Sequence, residues 1–379
     1  MREVDVLVIG GGIAGFAAAV AASGAGARTA LVRRGPGATA LAAGGWTGVP
    51  PEPVRDALEG AGMPLRVGAA LLPHADGRLL TSDAAPPAHA AAAVADGAEP
   101  ILVCGIAGLP GFHPRALAVL WSDAAALPDG AIAFDSVTLA DTPAAGWSTP
   151  ALAARLEAEP LVLGEPLARA VRRHGSARAI IPAVLGIGGH VRVVETLRDA
   201  TGIVPGEALS GAPSLPGWRL DQCLLRALRN AGVQVVQGRA AASPVHDAIT
   251  VVEVTGTDVV ESIRVGAVVL ATGRFIGGGI TDSGSGQRET VLGLTPSTPA
   301  PSHMLTHPVR TMAQPVLSAG ILADDRGRPT RPDGKPAFTN VFAAGSVRAG
   351  AETAALGLGH AARDGWSAGV LAAAAARGA

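Results

Sequence analysis

The chain has no tyrosine, two cysteines, four methionines and a single lysine, Lys335, and only 3% of its residues are aromatic. The cysteines, Cys104 and Cys223, lie far apart and form no CxxC pair. A disulfide framework is therefore excluded, and cysteines alone cannot ligate a zinc ion or an iron–sulfur cluster. Both read as small buried residues. The missing tyrosine and the near absence of lysine reflect a coding bias toward Ala, Arg, Gly and Pro, not chemistry. Charge is also scarce, at 16% of residues with a formal net charge of −1. That balance, without an arginine-rich stripe, gives no electrostatic footprint for nucleic acid. Long hydrophobic runs are lacking too. The apolar stretch Trp366 to Ala376 is too short to span a bilayer, and Glu3 and Asp5 interrupt any secretory leader. A cytoplasmic location is expected, with contact to the inner face of the cell membrane only through a partner.

What is abundant is small and apolar. The 379 residues include 51 glycines and are 48% hydrophobic, too apolar for disorder and long enough for two or three domains around a large core. Val4 to Ile9 is a β-branched apolar run bounded by glycines and reads as a buried parallel strand. An alanine-rich helix follows to about Ser23, then a second strand over Arg28 to Val32. Gly35 to Gly62 reads as an extended Gly/Pro-rich loop that wraps a ligand, and Ala84 to Pro100 as a linker. Beyond it, strands are expected at Ile101 to Gly105 and Ala179 to Leu185, with a helix at Pro114 to Trp121 that His113 caps. Leu220 to Asn230 reads as a helix and Val233 to Val236 as a strand. Val251 to Val254 with Ile263 reads as a hairpin arm, followed by apolar strands at Val265 to Ala271 and Val341 to Ala344. A last helix is expected from about Leu358 to Ala375.

Chemistry concentrates in three glycine turns. Gly10, Gly12 and Gly15 form G-x-G-x-x-G directly after a strand and open a helix, the arrangement that binds a dinucleotide. The first glycine makes the tight turn, the second lets backbone approach a pyrophosphate, and the third packs helix on strand. The first turn of the helix, Ile13 and Ala14 included, then offers free N–H groups and a positive dipole to the phosphates. An acidic residue normally follows about 20 residues on, where it holds the ribose hydroxyls; here Arg33 and Arg34 stand in its place. Either they contact a phosphate or the nucleotide end is held loosely. The second turn is Ala271, Thr272 and Gly273, after an apolar strand. The third is Gly345 and Ser346, followed by Leu356, Gly357, Leu358 and Gly359 opening the last helix. In their order along the chain these turns match flavin-binding folds. There the last helix aims its N-terminus at the pyrimidine side of the isoalloxazine and favours the anionic reduced form.

Longer stretches carry a resemblance. They are VIGGGIAG (Val8 to Gly15), VRRGPGATAL (Val32 to Leu41), VCGIAGLPGFHP (Val103 to Pro114) and IPAVLG (Ile181 to Gly186). PSLPGWRLDQCLLRAL (Pro213 to Leu228), ATGRFIGGGI (Ala271 to Ile280), RETVLGL (Arg288 to Leu294) and VFAAGSVRAG (Val341 to Gly350) complete the set. Over nearly its whole length the chain resembles the B subunit family of the anaerobic glycerol-3-phosphate dehydrogenase, within the fumarate-reductase-like flavoproteins. The resemblance implies a bound flavin, a catalytic flavoprotein subunit as partner, and an iron–sulfur subunit that passes electrons to quinone. FAD is expected from the full dinucleotide unit, with FMN left open by the missing acidic residue. Thr39 and Ala40 in the second matched stretch, and Gly44 in the loop after it, join the expected cofactor residues. Covalent flavin attachment is not expected, because no histidine lies between Val32 and Pro50.

The expected fold is α/β. A discontinuous Rossmann-like flavin-binding domain spans residues 1–83 and 217–379, and an inserted second α/β domain for substrate or partner spans 84–216. Candidate groups for a small hydroxy compound are Arg288, which follows the Gly/Ser-rich loop Ser283 to Gly286 and suits bidentate anion binding, and the pair His190 and Arg192 after a Gly-rich turn. His360 in the last helix either faces the flavin or caps the helix. Two other functions stay open at this level: a self-sufficient soluble flavin oxidoreductase acting on another hydroxy or amino acid, and a flavin-bearing subunit without turnover.

Overall fold

The structure is a computed structural model. It describes residues 1–94, 100–125, 134–139, 146–176, 178–257, 259–282, 284, 286–303, 305, 314–350 and 357–378. In chain order β1 (Arg2–Ile9), α1 (Ile13–Gly24), β2 (Thr29–Arg33) and α2 (Glu52–Gly60) come first. The middle of the chain carries β3 (Arg66–Pro73), β4 (Leu79–Ala85), α3 (Pro87–Ala91), β5 (Ile101–Ile106), α4 (Pro114–Ala124) and β6 (Phe134–Leu139). It continues through α5 (Thr149–Ala158), α6 (Leu161–His174), β7 (Arg178–Ile181), α7 (His190–Thr201) and β8 (Pro205–Glu207). The last stretch holds α8 (Leu215–Asn230), β9 (Gln234–Gln237), β10 (Arg239–Ala241), β11 (Val251–Thr255) and β12 (Val260–Leu270). It ends with β13 (Ile280–Asp282), β14 (Gln287–Glu289), β15 (Val341–Ala343) and α9 (Leu358–Gly378). No described helix is long and apolar enough to cross a membrane.

The chain divides into two compact units. The first comprises residues 1–39, 50–57 and 224–379. Its sheet is built on β12. The amino-terminal half of that strand pairs antiparallel with β11, its length pairs parallel with β1 from Arg2 opposite Ile263 to Ile9 opposite Leu270, and its end pairs parallel with β15. β1 pairs parallel with β2, and β2 with β9. The five strands β15, β12, β1, β2 and β9 thus run the same way, and their carboxyl ends share one edge. Val6, Leu7, Val8, Val268, Val269 and Leu270 are fully buried, as a parallel strand covered on both faces requires. α1 is apolar on every side, which suits a helix enclosed by sheet and a second helix. The second helix is α9. A Cβ on Gly365 or Gly369 would run into the carbonyl of Ala14 or Ala18, so the two helix backbones touch at those residues.

The second unit comprises residues 40–49 and 58–223. It holds a four-stranded parallel sheet in the order β6-β5-β7-β8 and the antiparallel hairpin β3–β4. Leu102, Cys104, Leu156, Leu163, Leu167, Ile181 and Leu197 lie in its core.

Several elements differ from the sequence reading. The boundary expected at residue 84 moves upstream, because the β3–β4 hairpin is stitched into the second unit. Trp46 bridges Ala84 and donates its N–H to Ser82 Oγ at 2.9 Å, Leu71 bridges Val94, and His74 bridges Leu209. The boundary expected at 216 falls instead inside α8, at Cys223. The stretch expected to be extended loop contains α2, whose Val54 and Leu58 are one turn apart and fully buried. The expected linker is packed over residues 84–94: α3 lies there, and Ala88, His89 and Ala92 are at most 1% exposed; its residues 95–99 lie outside the described residues. β7 stops at Ile181 because Pro182 has no N–H for the ladder. The hairpin expected around Ile263 forms, with Val252 opposite Ile263, but its second arm runs on unbroken into the expected next strand as β12.

Candidate functional site

The glycine turn after β1 separates glycines that are closed from one that is open. Gly10 has φ of +121°, and a Cβ on it would run into the carbonyl of Ala271. The first turn therefore rests directly on the turn that ends β12. A Cβ on Gly15 would run into the Gly10 carbonyl, which is the close packing of helix on strand expected of the third glycine. At Gly12 a Cβ would meet only Thr39 Oγ1, at 3.1 Å. The buried Thr39 hydroxyl accepts the Ile13 N–H at 3.0 Å, satisfying one of the N–H groups that a helix start leaves over. The sequence counted Thr39 among the cofactor residues; in the structure its hydroxyl seats the N-terminus of α1.

The other turns meet the first. A Cβ on Gly345, whose φ is +71°, would lie 2.7 Å from Ala14 Cβ, and one on Gly273 would lie 3.7 Å from Ser346 Oγ. Gly10 to Gly15, Ala271 to Gly273 and Gly345 to Ser346 thus converge at the carboxyl edge of the parallel sheet in the first unit, the end at which such sheets bind ligands. The Thr272 hydroxyl oxygen is buried there with no hydrogen-bond partner among the described residues. Arg33 is buried at the end of β2, and its side chain lies across Gly11, whose Cβ position is 2.9 Å from Arg33 Cβ and 3.2 Å from Nε. Arg34 is exposed. Leu358 is buried at the start of α9, with Gly357 before it, and Leu356 lies outside the described residues.

Ala40 and Gly44 belong to the second unit. The Ala40 carbonyl packs where Gly217 would carry a Cβ, and Gly44 is buried against the His89 ring. His89 is one of four buried polar side chains that meet in that unit. Arg219 donates from Nη1 to Glu207 Oε2 at 2.6 Å, from Nη2 to Oε1 at 3.0 Å, and from Nε to the Gly186 carbonyl at 2.7 Å. Glu207 Oε1 also accepts the Leu185 N–H at 2.6 Å. His89 and His190 each pair Nδ1 with a backbone carbonyl, Glu207 at 2.9 Å and Leu185 at 2.7 Å. A carbonyl only accepts, so both rings carry their proton on Nδ1 when neutral. Their Nε2 atoms stand 4.0 and 3.8 Å from Glu207 Oε2. Burial pushes His190 down to about 4, helped by the Arg219 charge and opposed by Glu207. Burial also lowers His89. For Glu207 burial is the largest influence and acts upward, but the Arg219 charge and hydrogen bonds together with the two histidines hold the carboxyl down to about 2. The cluster is thus one carboxylate, one guanidinium and two neutral imidazoles around the loop that follows β7. Only His190 was singled out in the sequence; Arg219 sits in a matched stretch, and nothing local marks His89 or Glu207.

The remaining candidates stand apart. Arg288 is exposed on β14 and donates to the Gly293 carbonyl at 3.2 Å; Ser283 and Ser285 of the loop before it lie outside the described residues. Arg192 is exposed on α7 and donates to the Glu157 carbonyl at 3.3 Å. His360 is exposed, with Nδ1 3.0 Å from Arg363 Nη2. His113 occupies the N-cap position of α4, but its side chain makes no capping bond. Both cysteines are buried, and burial pushes the Cys104 thiol up to about 12. Among the described residues no group of three or more His, Cys, Asp and Glu side chains is placed to hold a metal ion.

The first unit fits FAD. The open side of Gly12, the helix start behind it, Arg33 across Gly11 and the unpaired Thr272 hydroxyl form a polar cradle suited to a dinucleotide. The FAD binding domain family matches residues 5–63. Among solved structures the chain is similar to 3-ketosteroid-delta4-(5alpha)-dehydrogenase from Rhodococcus jostii RHA1 (13% identity, 98% of this chain and 97% of that one, TM-score 0.41). It is also similar to a flavocytochrome c3 fumarate reductase in an open conformation (12% identity, 99% and 78%, TM-score 0.39). A curated relative from Halobacterium salinarum, named as the probable B subunit of an anaerobic glycerol-3-phosphate dehydrogenase, is 30% identical over 98% of both chains. The chain therefore belongs to the B subunit family of the anaerobic glycerol-3-phosphate dehydrogenase and is an FAD-dependent oxidoreductase.

Proposed function

We propose that this chain is the FAD-bearing B subunit of a dehydrogenase complex that oxidises glycerol 3-phosphate. In this reading it pairs with a catalytic flavoprotein subunit, and an iron–sulfur subunit carries the electrons onward to quinone. The single observation behind the reading is the match along 98% of both chains to a relative whose name gives both the substrate and a place among several subunits. Bound FAD supplies two-electron chemistry, which the protein positions and tunes. The chain's own groups do the rest. The helix start behind Gly12 binds the pyrophosphate, Thr39 orients that helix, and Arg33 offers a cation beside it. With two buried cysteines and no CxxC, the chain has no cysteine set for a cluster of its own, so electrons leave to a partner. Arg288 is the proposed grip for the substrate's anionic group, with His190 and Arg192 as secondary candidates.

The test is purification from the native source, followed by anaerobic addition of glycerol 3-phosphate. The chain should copurify with a second flavoprotein and a cysteine-rich subunit, and the flavin absorbance should bleach. Recovery of the chain alone with undiminished quinone-linked activity would sink the multi-subunit reading. Arg288→Lys should weaken the apparent affinity for glycerol 3-phosphate about tenfold without changing flavin content, because an ammonium cannot reproduce two parallel N–H bonds. Unchanged reduction curves would make Arg288 a surface residue.

A further inference from the structure

Asp364 on α9 reaches back to the turn after β15. Its Oδ2 accepts the Gly345 N–H at 2.6 Å, and its Oδ1 accepts from the Arg348 guanidinium. The next residue, Gly365, is the point where α9 touches the Ala14 carbonyl of α1. One step of α9 therefore does two things: Gly365 brings the helix against the start of α1, and Asp364 holds the third glycine turn in place. That turn has little freedom elsewhere. Gly345 lies against Ala14, and its neighbour Ser346 faces Gly273.

We infer that Asp364 is a positioning residue for the FAD cradle: by holding the Gly345 N–H it fixes the Gly345–Ser346 turn relative to Ala14 and Gly273, and so presets the site before the cofactor arrives. This rests on the FAD cofactor and not on the substrate proposed above. Arg348 neutralises the carboxylate, so the turn is held without adding an uncompensated negative charge near a cofactor that itself carries phosphates. The N–H of Gly345 is taken by the protein, so it is not a group that turn offers to a ligand.

The experiment compares the full chain with Asp364→Ala and Asp364→Asn, measuring FAD affinity by titrating the flavin-free protein and checking the fold by circular dichroism. Asp364→Ala removes the acceptor and should raise the FAD dissociation constant roughly tenfold, whereas the amide oxygen of Asp364→Asn still accepts from Gly345 and should keep affinity within about threefold. Hydrogen exchange on the unaltered flavin-free chain supplies a test that no variant's folding can obscure. The Gly345 amide should be protected there. Wild-type FAD affinity in Asp364→Ala, equal losses in both variants, or rapid exchange of the Gly345 amide without FAD would each overturn the assignment.

Discussion

At the residue scale, the glycine turn predicts two opposite outcomes from similar substitutions. Gly12 has ordinary backbone angles, and the space its Cβ would enter holds only Thr39 Oγ1. Gly12→Val should therefore give a folded chain that has lost FAD, seen as a normal circular dichroism spectrum without flavin absorbance. Gly15→Ala forces a methyl into the Gly10 carbonyl. It should cost about 3 kcal/mol or more, as severe overpacking does, and appear as loss of soluble protein or a large fall in urea midpoint. A similar contrast holds in the second unit. Removing the charge of Glu207 leaves the buried Arg219 guanidinium unpaired, and breaking such a pair costs about 3–5 kcal/mol, so Glu207→Gln should be far more damaging than Arg192→Ala on the exposed side of α7. Denaturant unfolding of the two variants checks this. The glycine pattern itself was legible in the sequence, because its spacing encodes a local turn. So was the packing of its third glycine; that its first rests on the Ala271 carbonyl was not, since Ala271 arrives from a strand distant in sequence.

At the element scale, α1 and α9 pack backbone to backbone in the first unit. Two glycines one turn apart on α9 face Ala14 and Ala18 on α1, and a side chain at either would push the helices apart. Gly369→Val should lower the melting temperature, and because Ala14 also abuts Gly345, Gly365→Ala should weaken FAD binding as well as the fold. Flavin titration beside thermal melts separates the two effects. Both helices were legible from their alanine-rich composition. Their pairing was not, because small residues give no directional signal until a partner backbone is placed against them. The β3–β4 hairpin was missed for a related reason: its outer residues are exposed and its register depends on Trp46, Leu71 and His74 finding partners distant in sequence. α2 was hidden by the glycines and prolines that flank it.

At the scale of the whole molecule, the two units should respond differently to pH and to cofactor. His89 and His190 are held below their ordinary value of 6.5 in the folded state, and His190 falls to about 4. The unfolded chain binds these protons more readily, so stability is full above pH 6.5 and is lost as pH falls toward 4. His190 removes about 1.4 kcal/mol per pH unit in that window, and His89 acts in the same direction. Glu207, held at about 2 against an ordinary 4.5, continues the loss between those values. Calorimetry should show two transitions, the second unit's falling on acidification and the first unit's rising with added FAD. A single transition that moves with both would contradict this. By itself the sequence determined the order of the three flavin turns, the parallel strands that carry them and the lack of cluster-binding cysteines. These rest on local chemistry: tight turns need glycine, and doubly covered strands need β-branched apolar runs. Only the tertiary structure decided that residues 89, 190, 207 and 219 form one buried ionic cluster, and that Asp364 reaches Gly345. Such contacts join residues far apart in sequence, and burial, not spacing, sets their charge and strength.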